Sequence, residues 1–383
     1  MSVLHLPQHR TTLFAAMAAG SLVVAGVVAA PAAQAHGSDD KPGKVTVVAS
    51  NLDNPRGLAF GKHGDLLIAE AGHGGTLCLG AGPEGEQCAG LTGGLSKLSH
   101  GSVTRVLDHL ISVASPDGTG AEGLVAVATR DRDVYAQFAA NTSMIPPNAP
   151  PGDVIDAARA QLGRTIQLTG NGSWKVLAST GDKDYEWTKD HKQLQPDQFP
   201  DANPNGLAVT SKGIFVADAG ANLLAKVGDN HSVSTVAYFD VPDGSPTDSV
   251  PTCVAKGPDN ALYVGELLGG SYAPGQARVW RVSQGKATVK WTGFTGIQGC
   301  GFDSHGNFYA TEFQAKGMFG PDPSGDVVQV AKNGKRTTLG AGVLNFPSGF
   351  AADDDAIYVS NWSIMPAQNN GGPTGQVVRI ATD

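Results

Sequence analysis

The sequence predicts an all-β fold, a six-bladed β-propeller whose two chain ends pair to close the ring. One observation is a repeat: a short strand, a tight turn and a second strand recur six times. Another is an unpaired strand near the N-terminus, matched by a strand missing from the last repeat. The six copies span residues 54–70, 121–137, 204–218, 251–266, 297–312 and 347–361.

Each copy continues into two outer strands joined by a second tight turn. The fifth repeat places Asn333-Gly334 at that turn, which is the strongest short hairpin signal. Four strands per repeat, labelled a to d from the channel outward, describe one propeller blade. The expected c and d strands are 95–99 and 102–107, 164–168 and 173–178, 223–227 and 232–239, 277–282 and 287–294, and 326–331 and 336–342.

The sixth repeat has a c strand at 375–381 and then ends, without a d strand. Residues 44–50 (KVTVVAS) form a strand with no earlier partner, so we expect them to complete blade six. Such closure removes exposed sheet edges. The one expected helix is an insertion in blade two, residues 153–162, which follows a proline-rich run.

The N-terminus has the pattern of a signal peptide. His9 and Arg10 precede an apolar run at 13–30, and Ala33-Gln34-Ala35 resembles a cleavage site. We therefore expect a signal peptide at 1–35, a linker at 36–43, a single propeller domain at 44–383 and a secreted product. An uncleaved membrane anchor is the alternative, because the run has nearly the length of a bilayer span.

Composition narrows the partners and the redox environment. The formal charge of −8 and the sparse Lys and Arg argue against a nucleic-acid partner. Four cysteines in an exported chain favour two disulfides, and free buried thiols are the alternative. Cys78 and Cys88 share one glycine-rich loop, whereas Cys253 and Cys300 take the same position in repeats four and five. We expect the pairs 78–88 and 253–300.

The a–b and c–d turns are all short, so the long connections fall on one face, here called the top face. They are the b–c connections 71–95, 138–163, 267–277, 313–325 and 362–375, and the d–a connections 111–121, 181–203 and 240–250. Long loops on a rigid scaffold commonly carry function.

Two rings of side chains are expected around the channel mouth on the top face. The first ring is formed by the last residue of each strand b: Glu70, Gln137, Asp218, Glu266, Glu312 and Asn361. The second ring is formed by the residue at the start of each strand a: Arg56, Glu122, Asn205, Thr252, Gln298 and Ser348.

Crowded carboxylates must bind a cation, pair with Arg56, share protons or accept backbone hydrogen bonds. A Ca²⁺ ion with oxygen ligands is one hypothesis, and its ligands would be Glu122, Asn205, Asp218 and Glu266. The alternative is that these side chains cap strand ends and tie blades together. His73 and His191 fall in top-face loops and could join a site. Aromatic residues in these loops could line a groove or simply pack: Tyr185, Trp187, Tyr272, Phe319 and Trp362.

The phrases NPRGLAF, GDLLIAEAG, PNGLAV, GIFVADAG and GQVVRI resemble NHL-type and SMP-30-like propellers. With its signal peptide and its QGCGFDSHGNFYATEF segment, the chain after about residue 44 looks most like the ScyD/ScyE family of exported propellers. SMP-30-like lactonases use carboxylate and amide metal ligands at the channel mouth. The resemblance implies that Glu122, Asn205 and Asp218 could take those roles.

Two functional hypotheses follow. The first is a secreted, monomeric binding protein that takes a small molecule, a glycan or an extracellular protein on its acidic top face, away from any membrane. The alternative is a divalent-metal-dependent hydrolase or lactonase that uses the channel-mouth carboxylates. The residues expected to bind a ligand are Arg56, Glu70, Glu122, Asn205, Asp218, Glu266, Gln298, Glu312 and Asn361.

Overall fold

Six antiparallel sheets form the protein, and the predicted six-bladed propeller is confirmed. This computed structural model describes residues 41–82, 85–170, 172–194, 199–240, 247–270, 272–318, 322–369 and 371–382. The predicted signal peptide, the linker before residue 41, Asn171 and Phe319 lie outside the described residues. The innermost strands pack side by side in a closed ring, each against the innermost strands of both neighbouring blades.

Each blade places strand a innermost and strand d outermost. Blade one contains β2 (Pro55–Phe60), β3 (Leu66–Glu70), β5 (Gly85–Ser99) and β6 (Ser102–Ala114), with β4 (Leu77–Gly82) added beside β5. Blade two contains β7 (Leu124–Arg130), β8 (Asp133–Phe138), β9 (Arg164–Gly170) and β10 (Ser173–Ser179). Blade three contains β11 (Pro204–Thr210), β12 (Gly213–Asp218), β13 (Leu223–Val227) and β14 (Val233–Tyr238).

The remaining blades follow the same order. Blade four contains β15 (Pro251–Lys256), β16 (Leu262–Glu266), β17 (Ala277–Ser283) and β18 (Lys286–Phe294). Blade five contains β19 (Ile297–Phe302), β20 (Phe308–Glu312), β21 (Asp326–Val330) and β22 (Arg336–Leu339). Blade six contains β23 (Phe350–Ala352), β24 (Ala356–Asn361), β25 (Gly375–Ala381) and β1 (Val45–Leu52).

The ring is closed by the two ends of the chain, as predicted. Strand β1 pairs antiparallel with β25, with Val45 opposite Ile380 and Val47 opposite Val378. The amide of Gly43 also donates to the carbonyl of Ala381 at 2.8 Å. The described residues of blade six therefore have a full set of four strands, although three come from one end of the chain.

Small residues allow the innermost strands to approach one another. A Cβ at Gly57 would lie 2.8 Å from the Cα of Ala126, and one at Gly206 would lie 2.7 Å from the Cα of Cys253. Real Cβ atoms do not approach backbone this closely, so these positions require glycine. The repeated glycine after the second-ring residue is therefore a consequence of blade packing.

The core fills the space between adjacent sheets. Strands β3, β16 and β20 are buried at every position, because each b strand is covered on both faces by neighbouring blades. Such strands read as continuous apolar runs instead of alternating ones. Helix α1 (Asp153–Gln161) is the predicted insertion, and it packs Ala158 into the core between blades one and two.

Both predicted disulfides are present. Cys78–Cys88 joins β4 to β5, and Cys253–Cys300 joins strand a of blade four to strand a of blade five. The expectation that Cys253 and Cys300 hold equivalent positions was off by one residue. Cys253 lies opposite the residue before Glu266, whereas Cys300 lies opposite the residue two before Glu312.

Two elements were missed by the sequence interpretation. Helix α2 (Thr180–Asp190) occupies the connection between blades two and three, so the expectation of a single inserted helix was wrong. Its buried residues are small or polar, and they give no apolar stripe of helical period. In blade one, the predicted loop 71–95 contains β4 and the first part of β5. Among the described residues, no helix is long and apolar enough to cross a membrane.

Candidate ligand site at the channel mouth

The first-ring residues lie within their own blades. Five of them end their b strands as predicted, but Gln137 does not, because β8 continues to Phe138. All six have exposed fractions of 6% or less. Glu70 accepts hydrogen bonds from Ser96 of β5 and from Arg105 of β6. Glu266 accepts from Arg278 of β17, with Nη2 and Oε1 2.8 Å apart. Because strands c and d lie outside strand b, these carboxylates point away from the channel axis.

Four first-ring side chains also accept a backbone N–H from the segment that enters the same blade. The donor precedes the acceptor by 15 to 17 residues in each case. Each bond fastens the end of strand b to the chain that leads into strand a. The four bonds are Asp53 N to Glu70 at 2.8 Å, Asn203 N to Asp218 at 2.7 Å, Thr295 N to Glu312 at 2.8 Å and Asn345 N to Asn361 at 2.7 Å.

In blade three, the strand-end carboxyl faces a second carboxyl. Asp184 of helix α2 and Asp218 hydrogen-bond to each other, and both are buried. Burial raises the pKa of Asp218 to about 7, opposed by the backbone donors Ala221 and Asn203. Burial and the neighbouring Asp218 also raise the pKa of Asp184 well above its usual value. The pair therefore shares a proton near neutral pH.

Blade five repeats this arrangement with different residues. Glu312, which is buried, and Asp326 of β21, which is half-buried, form a carboxyl pair. Burial and the charge of Asp326 raise the pKa of Glu312 to about 8, and burial raises the pKa of Asp326 to about 6. The neutral phenol of Tyr272 lies close by, and the charge of Glu312 adds to the effect of burial in raising its pKa.

The second ring reaches the channel. Gln298 of blade five contacts Asn205 of blade three, with 3.4 Å between Nε2 and Oδ1, although blade four lies between them. Only side chains that point toward a common axis can meet in this way. Thr252 is instead occupied within the wall, where its hydroxyl donates to the carbonyl of Ile297 at 2.6 Å. Ser348 is 4% exposed.

Arg56 of blade one and Glu122, which precedes β7 of blade two, lie close enough for each charge to shift the pKa of the other group. The Nη2 atom of Arg56 donates to the carbonyl of Ala121 at 2.7 Å, while its buried Nε has no hydrogen-bond partner among the described residues. Burial lowers the pKa of Arg56 to about 10, opposed by Glu122. Burial also raises the pKa of Glu122, whose Oε1 accepts from the Asn203 amide at 2.8 Å.

The charge around Glu122 is dominated by carboxyls. Asp201 raises the pKa of Glu122 and also that of Asp218, and burial raises the pKa of Asp201 itself. Four carboxyls of blades two and three thus accompany one guanidinium. Sequence reasoning did not identify Asp184, Asp201, Asn203 or Asp326. They lie in or beside long connections, where no repeat pattern marks them.

The proposed Ca²⁺ ligands do not come together as a set. The carboxylate of Glu266 is occupied by Arg278 and Trp280, while Asp218 is directed at Asp184. Of that set, Asn205 reaches the channel, whereas Glu122 lies two residues before β7 and pairs through its backbone with Val113 of β6. Within the described ranges, no group of three or more His, Cys, Asp or Glu is arranged to hold a metal ion. The residues present do not fit Ca²⁺ at this position.

The two candidate histidines occupy different settings on the top face. His73 Nδ1 lies 2.9 Å from Asp53 Oδ1, and its side chain is 45% exposed. His191 stacks on Trp187 with 4.1 Å between ring centroids, and Trp187 also contacts Tyr238. His191 therefore packs at the end of helix α2.

The described aromatic residues of the top loops are mainly packing residues. Tyr185 packs with the core between blades two and three, and Tyr272 is fully buried. Trp362 lies edge-on to Phe346. Of the predicted site residues that the structure describes, those left to act at the channel mouth are Arg56, Glu122, Asn205 and Gln298, which are one guanidinium, one carboxyl and two carboxamides.

Comparison with known proteins shows the fold. No family model matches the chain, and no curated protein matches it. A solved gluconolactonase from Xanthomonas campestris aligns with a TM-score of 0.52 at 11% identity, over 92% of this chain and 99% of that one. A putative oxidoreductase (glucose dehydrogenase) from Thermus thermophilus aligns with a TM-score of 0.52 at 12% identity, over 88% and 99%. These similar structures are propellers with different activities.

Proposed function

We propose that this chain is an exported propeller of the ScyD/ScyE kind that binds a small polar ligand at the mouth of its channel. The binding residues are Arg56, Glu122, Asn205 and Gln298. The observation that carries the proposal is the buried Nε of Arg56, a charged donor without a partner among the described residues, beside a carboxyl. Buried donors of this kind are rare unless something else satisfies them.

The four side chains suit a ligand with closely spaced hydroxyl or carbonyl groups. Arg56 supplies directed N–H donors, whereas Glu122 supplies acceptors. Each carboxamide offers both a donor and an acceptor, and the 3.4 Å contact between Gln298 and Asn205 is long enough for a ligand to replace. A small glycan unit or a sugar-derived lactone has this pattern of groups.

A thermal-shift screen of the purified chain against monosaccharides, sugar acids and lactones, followed by calorimetry of the hits, tests the proposal. Arg56→Gln and Gln298→Ala should each weaken a genuine hit about tenfold, which is the loss of roughly 1.4 kcal/mol of binding free energy. Arg281→Gln is the control, because Arg281 forms an exposed ion pair with Asp259 at the end of blade four opposite the channel mouth. Hits whose affinity is the same in all three variants would contradict the site.

Hydrolysis is the second candidate function, and the raised pKa of Glu122 favours it. A carboxyl whose pKa is raised by burial is suited to general acid–base chemistry. Release of acid from a lactone hit would be followed by pH-stat titration, with and without chelator. Turnover that disappears in Glu122→Gln, while the lactone still binds, would favour the enzyme. A hit that binds without turnover would favour the binding protein.

Export is the remaining part of the proposal. Two disulfides are typical of proteins that fold in oxidising compartments, and the N-terminal pattern is that of a cleaved signal. N-terminal sequencing of the protein recovered from culture medium should begin at His36. Recovery only from the cell interior, with residue 1 intact, would refute export.

A further inference from the structure

A repeated interaction marks the lower end of the blades, opposite the channel mouth. The second or third residue of strand b is a tyrosine in four blades. Its hydroxyl hydrogen-bonds to an aspartate of the a–b turn or, in blade two, to the aspartate that begins strand b. The pairs are Tyr135–Asp133 at 3.3 Å, Tyr263–Asp259 at 3.4 Å, Tyr309–Asp303 at 3.0 Å and Tyr358–Asp353 at 3.0 Å.

In two blades, an aspartate of the a–b turn also pairs with a cation on strand c. In blade four, Arg281 lies opposite Tyr263 and pairs with Asp259 at 2.7 Å. Blade one has no tyrosine here, but Lys97 holds the same strand-c position and pairs with Asp65 at 3.4 Å. A strand-c cation at this level is thus accompanied by a turn carboxylate in both blades.

Blade three departs from this pattern in both parts. Phe215 replaces the tyrosine, and Lys226 lies opposite it on β13. The a–b turn contains Ser211 and Lys212 where other blades carry an aspartate. The ammonium of Lys226 lies 5.8 Å from the centroid of the Phe215 ring and has no carboxylate partner in the described part of the chain.

A pocket of about 220 Å³ opens at this place, between the lower ends of blades three and four. Its apolar wall includes Phe215 and Leu262, which are 6% and 8% exposed. Its polar wall includes three lysines, Lys212, Lys226 and Lys256, and none of the residues that line it is acidic. This is a local excess of positive charge on a chain whose net charge is −8.

We propose that this pocket binds a small organic monoanion, a carboxylate attached to a single apolar ring. Lys226, which lies against the Phe215 ring, attracts an anion more strongly than a lysine in open water, because charge interactions strengthen as the local dielectric falls. The exposed Lys212 and Lys256 add to the positive charge at the rim. The apolar wall selects an anion that carries an apolar group. The volume limits that group to about one ring. The site is independent of the channel mouth and of the function proposed there.

The test is isothermal titration of the full-length chain with benzoate, sulfate and benzyl alcohol at low ionic strength and pH 7. Benzoate should bind at least about tenfold more tightly than either of the other probes, and more weakly as salt is added. Equal affinity for sulfate, equal affinity for benzyl alcohol, or no heat with benzoate would each overturn the proposal.

Three variants assign the binding to the pocket. Lys226→Gln should weaken benzoate binding about tenfold. Ser211→Asp places a carboxylate in the a–b turn, as in the other blades, and should weaken benzoate binding while leaving every lysine in place. Arg281→Gln removes the equivalent cation of blade four and should leave the affinity within about twofold. Circular dichroism establishes that each variant is folded, and unchanged benzoate binding in either blade-three variant would refute the site.

Discussion

The b strands of blades one, three, four and five all end in an acidic residue, but the partner of that residue differs between the blades. In blades one and four, the glutamate is paired with an arginine, Arg105 or Arg278. In blades three and five, the carboxyl is paired with another carboxyl. All four carboxyls are buried, and those of Glu70, Asp218 and Glu312 fasten the chain segment that enters their blade.

The comparison teaches that position fixes burial and backbone contacts, whereas the partner fixes the protonation state. Burial raises the pKa of Glu70 and Glu266 as well, but Arg105 and Arg278 oppose this shift, so each of these carboxylates depends on its arginine. A buried carboxyl pair can keep only one charge, so it holds a proton at pH values where free carboxyls have lost theirs. In blades two and six, the corresponding buried side chains are the neutral amides of Gln137 and Asn361, which carry no charge that a partner must balance.

The largest effect is expected from breaking the arginine pair of blade four. In Arg278→Leu, Glu266 keeps Trp280 as a donor but loses the guanidinium that balances its charge. Removing one partner of a buried ion pair typically costs about 3–5 kcal/mol of unfolding free energy. Urea unfolding at pH 7 measures the loss.

Arg281→Leu is the matched control, because Arg281 lies on the same strand in an exposed pair with Asp259. Exposed pairs contribute little. If both leucine variants lost the same stability, the contrast between buried and exposed pairs in this blade would be wrong.

The next effect concerns pH and the carboxyl pair of blade five. Glu312, with its pKa near 8, and Asp326, with its pKa near 6, hold protons in the folded state that unfolded carboxyls lose near pH 4. The folded state therefore binds more protons between pH 4 and 8, and stability falls as pH rises through that window. The slope is on the order of 1 kcal/mol per pH unit for one proton.

Asp326→Asn should flatten this part of the pH dependence, because an amide can donate to Glu312 without adding charge. Urea unfolding of wild type and variant at pH 5, 6.5 and 8 gives the slopes. Asp354→Asn, in an exposed turn, is the control that should keep the wild-type slope. A slope in Asp326→Asn as steep as that of wild type would show that the pair does not hold the proton.

The sequence was sufficient to predict those features that repeat. Six copies of the a–b phrase, the glycine after Arg56 and Asn205, and the unpaired strand at 44–50 all follow from blade packing and closure. These features recur because every blade packs against its two neighbours in the same way. The fold could therefore be inferred from periodicity without knowledge of any contact.

The partners of the strand-end residues could not be predicted in the same way. Asp184 enters from a helix whose buried side chains are small or polar, and Asp326 begins a strand after a long connection. Neither repeats between blades. The sequence also did not show that the first-ring side chains point away from the channel. It places both rings at the same level of the blades, but it does not show which ring points inward.

The smallest effect is expected in blade three, where backbone N–H donors already stabilise a negative charge on the carboxyl pair. Asp218 Oδ1 accepts N–H donors from Asn203 and Ala221, which stabilise its charge, so less depends on the shared proton. Asp184→Asn should raise stability at pH 8 by about 1 kcal/mol and leave it little changed at pH 5, since the pKa of Asp218 lies near 7.

The control for this variant is Asp190→Asn, at the exposed end of the same helix. Unfolding curves at pH 5 and pH 8 should separate the two variants only at the higher pH. Equal behaviour at both values would mean that the pKa of Asp184 is not raised, so that its carboxyl is charged in the folded and unfolded states alike, or that helix α2 does not hold it against Asp218. Either result would remove the distinction between blade three and blade four, because both strand ends would then have a fixed charge.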